Sequence, residues 1–498
     1  MPLQLLLVLL AGALIAPSLA PFNTPYLALL PPAVLYLCSR NRSVKQSSWL
    51  GYFFGLGFFG TGASWVFVSI HEHSHTPLPI ALTLTALFVA GLALLFALQQ
   101  FAWKKLFSAR FQTLSFIGCW VLFEWLRSWL FTGFPWLYLG NASLDTPFQN
   151  LLPIGGVWLA SFAMLATAIA AAEFIRSRNL RPLLLLPLPL IASILSFNPW
   201  TAATDKALKV AIVQPNIPQQ IKWNPEYRPE IFAKYIKLSQ PHIDTELMLW
   251  PETAIPALFQ HAATPLAELL SDLDSNGTSL ISGLPSTTRD NDHPKGYRVH
   301  NSLAILTTDS GIYHKQRLVP FGEYVPMETQ IRGLLDFFNL PMSSFSLPQG
   351  EQPLLTVANH KISAAICYEI AYPELVRKNS LNADILLTVS NDTWFGASIA
   401  PAQHMQIAQV RAVENGRWLI RGTNNGLTGI IDPQGQIVEQ LPQFQAGVLR
   451  TQVFSMQGMT PFQEFGSLPI LVLAGLFTLF GLGRHQLALR DNPYPDFS

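Results

Sequence analysis

The sequence predicts two kinds of structure in one chain: a polytopic helical membrane bundle of about eight spans and a layered α/β domain. Half of the 498 residues are hydrophobic and only 12% are charged, which is about half the usual charged fraction. The deficit lies in residues 1–200, which hold ten Lys/Arg and four Asp/Glu. From Leu208 onward, short β-branched runs alternate with helical patterns, as is typical of an α/β domain.

The membrane part is predicted from the length of its apolar segments. Crossing the ~30 Å hydrocarbon layer takes roughly 20 apolar residues in a helix. The first segment lacks a basic n-region and another follows at once, so we expect a retained helix and not a signal peptide. The candidate spans are 3–20, 22–38, 48–70, 79–102, 113–131, 153–174, 182–198 and 466–483.

These spans divide the chain into predicted domains. A transmembrane bundle of about seven helices occupies 1–200, and a polar catalytic domain follows at 201–465. A final span at 466–484 leads to a tail at 485–498.

The distribution of basic residues predicts the orientation. Short loops at 40–45, 104–110 and 176–181 carry Lys and Arg, and they alternate with loops that are almost free of both. By the positive-inside tendency these basic loops are cytoplasmic, so the polar domain lies outside the cytoplasm and the tail returns inside. Arg127, beside the outer end of the fifth span, is the exception.

Composition also argues against several kinds of partner. The net charge is +1 and the basic residues form no long run, so no nucleic-acid partner is expected. Three cysteines exclude a disulfide framework, and Cys367 is the one in the polar part. The stretch from His71 to His75 resembles a metal-ligand cluster, but its spacing is weak and no second ligand group is evident, so no metal is predicted.

Within the polar domain, apolar periodicity predicts strands and helices in alternation. Segments with helical spacing are 228–239, 265–274 and 402–415. Strands are predicted at 209–213, 247–250, 279–282, 303–306, 362–367, 385–389, 418–421 and 428–431.

Three of these strand ends carry reactive side chains. Glu252 follows an apolar strand and a rigid proline turn, and Lys315 lies beside a strand with Glu323 eight residues later. Cys367 ends another apolar strand and is followed by Glu369 after one residue. Taken singly, a Cys or Lys at a strand end is more often structural than catalytic. Three such motifs in this order make chance a poor explanation.

These motifs resemble the nitrilase (carbon-nitrogen hydrolase) superfamily, and the resemblance spans residues 208–452. It implies an αββα sandwich fold and a Glu-Lys-Cys catalytic triad. A thiol attacks as thiolate, so it needs a base or a nearby positive charge. By this resemblance Glu252 is the general base, Lys315 stabilises the oxyanion, and Cys367 forms a covalent thioester.

The spans around the domain resemble one membrane-bound branch of that superfamily, the apolipoprotein N-acyltransferases. Matching stretches include Glu124-Trp125-Leu126-Arg127 in the membrane part and Ser390-Asn391-Asp392-Thr393-Trp394-Phe395-Gly396 in the polar domain. Further matches are Gln403-His404-Met405-Gln406 and Thr423-Asn424-Asn425-Gly426, so nearly the whole chain is covered.

The second resemblance implies a ping-pong acyl transfer. The donor would be a phospholipid such as phosphatidylethanolamine, and the acceptor the α-amine of a diacylglyceryl-cysteine apolipoprotein. It implies no metal or organic cofactor, a monomer, and a multi-pass protein of the bacterial inner membrane with its catalytic domain in the periplasm.

The resemblance also carries over further residues. Glu323 and Glu369 match supporting acids, which would orient Lys315 and the incoming amine. Tyr368 and Trp394 match substrate-pocket residues, and Trp223 matches a position in a mobile arm, although core packing would equally explain these aromatics. The apolar stretch within 327–348 is predicted to be a membrane-dipping lid, with a buried helix as the alternative.

Two other functions stay open at this point. A membrane-tethered amidase of the nitrilase type would hydrolyse a small C–N substrate, but seven spans exceed what an anchor needs. A transporter or scaffold with a catalytically inactive outer domain is the other, and the intact triad and the scarcity of intramembrane charges disfavour it.

Overall fold

The structure is a computed structural model that describes residues 1–73, 76–106, 112–178, 199–258, 261–293, 295–307, 309–324 and 345–490. The chain forms two compact units. One comprises Met1–Phe67, Pro77–Pro199 and Glu464–Ser498, and the other comprises Val68–Thr76 and Trp200–Gln463.

The helices and strands of the described residues are numbered in chain order. The helices are α1 Pro2–Ala13, α2 Ile15–Ser18, α3 Leu30–Ser39, α4 Val44–Gly62, α5 Val66–Val68, α6 Leu78–Leu106, α7 Gln112–Arg127, α8 Leu152–Ser177, α9 Gln219–Lys222, α10 Arg228–Ser239, α11 Ala263–Ser275, α12 Pro373–Asn379, α13 Ala400–Asn415, α14 Pro461–Phe465 and α15 Leu468–Arg490. The strands are β1 Thr201–Gln214, β2 Leu247–Leu249, β3 Ser279–Arg289, β4 Tyr297–Ile305, β5 Ile312–His314, β6 Leu355–Val357, β7 His360–Ile366, β8 Ile385–Ser390, β9 Leu419–Thr423, β10 Gly429–Ile431, β11 Ile437–Gln440 and β12 Gly447–Gly458.

Each predicted span that falls on described residues contains a helix, and the span at 113–131 contains α7, Gln112–Arg127. Two helices, Leu78–Leu106 and Pro147–Ser177, are long and apolar enough to cross a membrane, and the pair Val44–Gly62 and Val66–His73, bent by 61°, would make a third if it is one span. The predicted spans at 3–20, 22–38 and 466–483 fall on shorter apolar helices. The predicted span at 182–198 lies outside the described residues, so the count of eight stays a prediction.

Helix α6 exposes an apolar face to its surroundings. Its side chains Leu82, Leu87, Leu94 and Leu98 are all exposed, Leu87 by 63%. A continuous apolar face of this kind is rare on a water-soluble surface and is expected where lipid surrounds a helix.

Helices α1 and α4 pack at very short range. A Cβ on Gly57 of α4 would lie 1.9 Å from the carbonyl oxygen of Leu9 in α1. Small residues are enriched at such contacts because membrane helices associate through close backbone packing.

Arg127, the exception to the charge pattern, is buried at the end of α7. Its guanidinium donates to the carbonyl of Leu137 at 3.2 Å and lies over three rings, those of Phe58, Phe59 and Tyr138, at 5.3 to 5.7 Å. An aromatic cage and a carbonyl acceptor stabilise a cation away from water, so Arg127 is a packed residue of the helical unit.

The second unit contains two six-stranded sheets. Their strand orders are β12-β1-β2-β3-β4-β5 and β11-β10-β9-β8-β7-β6. Each has a parallel centre, β1-β2-β3 in one and β7-β8-β9 in the other, with antiparallel strands at both sides. The strands predicted from the sequence are all present, with ends displaced by up to several residues.

The two sheets enclose one apolar core. Alternate residues of β1 and β2 and of β7 and β8 point into it, among them Val210, Leu249, Ile366 and Leu387. The opposite face of the first sheet packs against α10 and α11 through Trp250, Tyr235 and Leu269. With α12 and α13 contacting the second sheet, the layers run α, β, β, α. The predicted lid at 327–348 lies outside the described residues up to residue 344.

Candidate active site

The sheet topology brings the three reactive strand ends to corresponding edges. Glu252 follows β2, and Lys315 follows β5, which runs in the same direction as β2 because two antiparallel steps separate β5 from β3. Cys367 directly follows β7, the strand next to the edge strand β6 in the second sheet. Carboxyl ends of parallel strands are where open α/β sheets bind ligands.

Glu252 is held at both carboxylate oxygens. Its Oε1 accepts hydrogen bonds from Lys315 Nζ at 3.3 Å and from Asn301 Nδ2 at 2.8 Å. Its Oε2 accepts one from the backbone N–H of Asn391 at 2.9 Å. The side chain is 6% exposed, so its carboxylate is fixed in orientation.

A second carboxylate shares the same donors. Glu323 Oε1 accepts from Lys315 Nζ and from Asn301 Nδ2, each at 2.8 Å, while its Oε2 accepts from the N–H of Val319. Lys315 is 1% exposed and bridges two acids. The structure therefore brings Glu252, Lys315 and Glu323 together in one buried cluster.

The charges of this cluster stabilise one another. Burial alone would lower the pKa of Lys315, but the carboxylates of Glu252 and Glu323 outweigh it and raise that pKa well above its ordinary value. Burial alone would raise the pKa of Glu252, yet Lys315 and the Asn301 amide hold it below its usual range. At neutral pH the site therefore holds an ammonium and an ionised carboxylate.

Cys367 occupies a constrained backbone position. Its φ is 53°, in the left-handed region that residues with a side chain rarely adopt. It begins a 3₁₀ turn, Cys367–Ala371, immediately after β7. A sharp turn at this point presents the thiol at the strand end instead of inside the sheet.

The thiol itself is protonated at rest. Burial and the Glu252 carboxylate raise the pKa of Cys367 well above its ordinary value, and the Lys315 ammonium offsets only part of this effect. Because attack by a thiol requires the thiolate, Cys367 would have to lose its proton as it attacked a substrate. The ionised carboxylate of Glu252 is the acceptor that the cluster offers.

Glu369 links the turn that begins at Cys367 to the segment that follows Lys315. Its Oε2 accepts from the N–H of Ile366 at 2.7 Å and from the hydroxyl of Tyr313 at 2.9 Å. Its Oε1 accepts from the N–H groups of Gln316 and Arg317 at 2.5 and 3.1 Å. The carboxylate thus clamps the residue before Cys367 to those following Lys315. Burial raises its pKa to about 7.

A buried polar chain lies behind Cys367. His404 Nε2 is 3.1 Å from the carbonyl oxygen of Cys367, and because a carbonyl only accepts, Nε2 donates. His404 Nδ1 lies 3.1 Å from both Arg421 Nη2 and Asp392 Oδ1, and Arg421 also donates to Asp392 Oδ2 at 2.8 Å. Burial and the Arg421 charge lower the pKa of His404, so the imidazole is a neutral donor to the strained turn.

The three aromatic residues carried over from the resemblance have different surroundings. The ring of Tyr368 packs edge-on against Tyr372 at 5.2 Å. The ring of Trp394 packs against His73 at 5.5 Å, and its carbonyl accepts from Ser69 at 2.7 Å. Trp223 follows α9 directly, and within the described part of the chain its buried Nε1 has no hydrogen-bond partner.

Sequence reasoning missed several residues of this centre. Asn301, Asn391 and His404 all touch the triad or its backbone. Asn391 and His404 belong to stretches singled out only as family-like. The buried Lys222, which donates to the carbonyl of Glu252 at 3.1 Å, was also missed. Its one sequence signal was its position next to Trp223.

Comparison with known proteins identifies the family. Residues 11–170 match the apolipoprotein N-acyltransferase N-terminal domain, and residues 209–457 match the carbon-nitrogen hydrolase family. The apolipoprotein N-acyltransferase of Pseudomonas aeruginosa (strain LESB58) is 43% identical, over 97% of this chain and 96% of its own length. The chain belongs to the apolipoprotein N-acyltransferase family. The enzyme of that name from Vibrio vulnificus (strain CMCP6) is 39% identical, over 93% of this chain and 94% of its own.

Membership in the apolipoprotein N-acyltransferase family confirms the resemblance found in the sequence and the nitrilase-like α/β fold of the second unit. Together with the apolar helices, it indicates a membrane protein. Among solved structures, a carbon-nitrogen hydrolase from Helicobacter pylori G27 is 15% identical with a TM-score of 0.36, over 53% of this chain and 93% of its own. An amidase from Nesterenkonia sp. is 20% identical with a TM-score of 0.32, over 50% and 89%.

Proposed function

We propose that this protein moves a fatty acyl chain from a phospholipid to the N-terminal amine of a diacylglyceryl-cysteine apolipoprotein, through a thioester on Cys367. The names of its relatives support acyl transfer to a lipoprotein. The observation that carries the mechanism is the buried contact of Glu252 Oε1 with Lys315 Nζ at 3.3 Å, whose charges both act on the Cys367 thiol.

In the first half-reaction Cys367 attacks the ester carbonyl of the phospholipid. Glu252 accepts the thiol proton as the sulfur–carbon bond forms, and Lys315 stabilises the oxyanion, a contribution typically worth about 3 kcal/mol. The intermediate then breaks its carbon–oxygen bond. Glu252 returns the proton to the departing lysophospholipid alcohol, and the acyl chain stays on sulfur.

In the second half-reaction the free α-amine of the apolipoprotein attacks the thioester. Glu252 accepts a proton from the attacking amine, and the oxyanion again forms beside Lys315. The carbon–sulfur bond breaks, the amide is released, and the sulfur recovers the proton. Aminolysis of a thioester is energetically downhill, so the covalent intermediate suits an amine acceptor better than an ester would.

The neighbouring residues have supporting roles in this proposal. Glu323 keeps the ammonium of Lys315 beside Glu252, as its 2.8 Å contact suggests. Glu369 holds the segment after Lys315 and the turn at Cys367 in fixed relative positions through its contacts with their backbone N–H groups. Tyr368, Trp394 and Trp223 would contact the two lipid substrates.

We further propose that the protein is a monomer of the bacterial inner membrane with its catalytic domain in the periplasm. The alternating basic loops of the sequence support this orientation. A cysteine placed at the exposed Asn291 should react with a membrane-impermeant maleimide in intact spheroplasts. Labelling only after lysis would place the domain in the cytoplasm.

The central test follows the acyl group by mass spectrometry. Purified protein incubated with phosphatidylethanolamine should gain one long-chain acyl mass on the peptide that contains Cys367, and hydroxylamine should remove it. Cys367→Ala should gain none, whereas Cys38→Ala, which changes a half-buried cysteine of the helical unit, should gain it normally.

The same assay separates the proposal from the tethered amidase, which the comparisons do not favour. An amidase would release ammonia from small amides and would show no phospholipid-dependent adduct. Normal acylation of Glu252→Ala or Lys315→Ala would remove that residue from the mechanism.

A further inference from the structure

A second buried lysine stands beside the general base. Lys222 ends the short helix α9 and is 3% exposed, and its Nζ donates to the backbone carbonyl of Glu252 at 3.1 Å. An ammonium is rarely buried unless it is paired, because removing it from water is costly. Its burial therefore calls for an opposing charge nearby, and the carboxylate of the same Glu252 provides it.

The charges of the buried cluster balance only if Lys222 is counted. Two carboxylates, Glu252 and Glu323, share the ammonium of Lys315 at 3.3 and 2.8 Å, which leaves one negative charge over. Lys222, whose Nζ contacts the backbone carbonyl of Glu252, supplies the second positive charge. Burial lowers the pKa of Lys222 to about 8 while Glu252 opposes the change, so the side chain is mainly charged at pH 7.

The groups that face Glu252 come from three directions. Lys222 approaches from α9, Lys315 and Glu323 from the segment after β5, and the Cys367 thiol from the end of β7. The nearby Asp392 is neutralised by its own partner Arg421 at 2.8 Å.

Helix α9 is also linked to the carboxylate of Glu252 through Asn391. Gln219, at its first residue, accepts from Asn391 Nδ2 at 2.8 Å, and the backbone N–H of Asn391 donates to Glu252 Oε2 at 2.9 Å. The helix thus reaches Glu252 by two routes, one through a charge and one through a hydrogen-bonded amide. Displacement of α9 would disturb both.

We propose that Lys222 is a positioning residue whose ammonium, the second cation of the site, keeps Glu252 ionised and ready to accept a proton. This inference rests on the proposed role of Glu252 as general base. Without the Lys222 charge, the two carboxylates would share one ammonium and Glu252 would bind a proton more readily. The rate would then fall in acid while the alkaline rate, where Glu252 is ionised in any case, would persist.

The test is the pH profile of Cys367 acylation in the full-length protein, from pH 4 to 9, for three variants. Lys222→Met removes the charge at nearly constant volume, Lys222→Arg keeps it, and Lys237→Met changes an exposed lysine of the neighbouring helix α10. We expect the acid limb of Lys222→Met to move up by about one pH unit, with its alkaline plateau within about threefold of the parent. The other two variants should keep the parent profile.

Alkylation of Cys367 by iodoacetamide, followed on the same peptide, supplies a second profile that needs no lipid. If the parent alkylates but never acylates, the proposed acyl donor is wrong, and the Lys222 inference is still decided by the alkylation limb. A uniform loss of rate in Lys222→Met with an unmoved limb would overturn the inference. So would an Arg variant that melts like the parent and shows the profile of Lys222→Met.

Discussion

Asn301 is the hydrogen-bond donor that the two buried carboxylates share, and changing it to Asp should strongly shift the pH dependence of acylation. Its Nδ2 donates to Glu252 Oε1 and Glu323 Oε1, each at 2.8 Å. Asp is nearly the same size, but it replaces this shared donor with a third carboxylate. The substitution therefore changes charge while leaving the packing almost intact.

The size of the effect follows from these distances. In Asn301→Asp a carboxylate oxygen would replace Nδ2, 2.8 Å from Glu252 Oε1. The charge centres of the two carboxylates would then be roughly 4 Å apart, and their repulsion is about 4 kcal/mol at an effective dielectric constant of about 20. That energy corresponds to about three pKa units. The cluster should therefore hold an additional proton near neutral pH, and acylation of Cys367 by Asn301→Asp should fall at least about tenfold at pH 6.

The assay is single-turnover formation of the acyl-enzyme between pH 5 and 9, quantified by mass spectrometry. Asn301→Asp should regain much of its rate toward pH 9. Asn301→Leu loses the donor without adding charge, so it should be about 30-fold slower, as expected for one charge-assisted hydrogen bond worth about 2 kcal/mol, and its acid limb should move up less than that of Asn301→Asp. Asn291→Asp, in an exposed loop, is the matched control. Equal and pH-independent losses in Asn301→Asp and Asn301→Leu would refute the reasoning.

Three further predictions concern positions around the triad. Gly283→Ala should lose most acylation and be destabilised by about 2 kcal/mol. The added Cβ would lie 2.5 to 2.7 Å from the backbone of Thr253, Pro251 and Glu252. The acylation rate and the melting temperature of the variant test this. His404→Leu removes the donor to the Cys367 carbonyl and should slow acylation about tenfold. Glu369→Gln should flatten the pH dependence of stability between pH 4.5 and 7. Burial raises the folded pKa of Glu369 from 4.5 to about 7, so the stability it contributes is complete below pH 4.5 and is lost as pH rises toward 7, by about 3 kcal/mol.

Each of these predictions has its own control. Gly447→Ala places a Cβ no closer than 3.7 Å to a flexible leucine side chain and should be tolerated, so equal damage there would discredit the argument from close approach. An unchanged rate in a folded His404→Leu would show that the turn at Cys367 needs no support from behind. For Glu369, the observable is the difference in melting temperature between parent and variant at each pH, and a constant difference would be inconsistent with the raised pKa.

The sequence predicted the α/β domain well because its central strands are nearly continuous apolar runs. β2, β7 and β8 lie at or near the centres of the sheets and are almost wholly buried, so their composition alone distinguishes them from loops. The edge strand β11 is exposed along its whole length and has no alternating pattern. Its position is set by pairing with β10, which local composition does not encode.

The same difference explains which site residues could be found. A carboxylate, a lysine and a thiol at strand ends are recognisable because the three motifs occur together and in the order typical of one superfamily. Asn301 lies inside β4 and Lys222 in a four-residue helix, and neither position is unusual for its residue type. Asn301 reaches the site because β4 pairs with β3 and β5. Lys222 reaches it because α9 lies against Glu252.

The charge arrangement also limits when the nucleophile can react. The Glu252 carboxylate, whose pKa is lowered, is a poor acceptor for a thiol proton whose own pKa is raised, so free thiolate is scarce in the resting site. In the proposed reaction the new negative charge forms on the acyl oxygen beside the Lys315 ammonium, which makes the proton transfer favourable. Because susceptibility to oxidation follows thiolate character, the proposed mechanism, in which the thiol ionises only during acyl transfer, would protect Cys367 between turnovers.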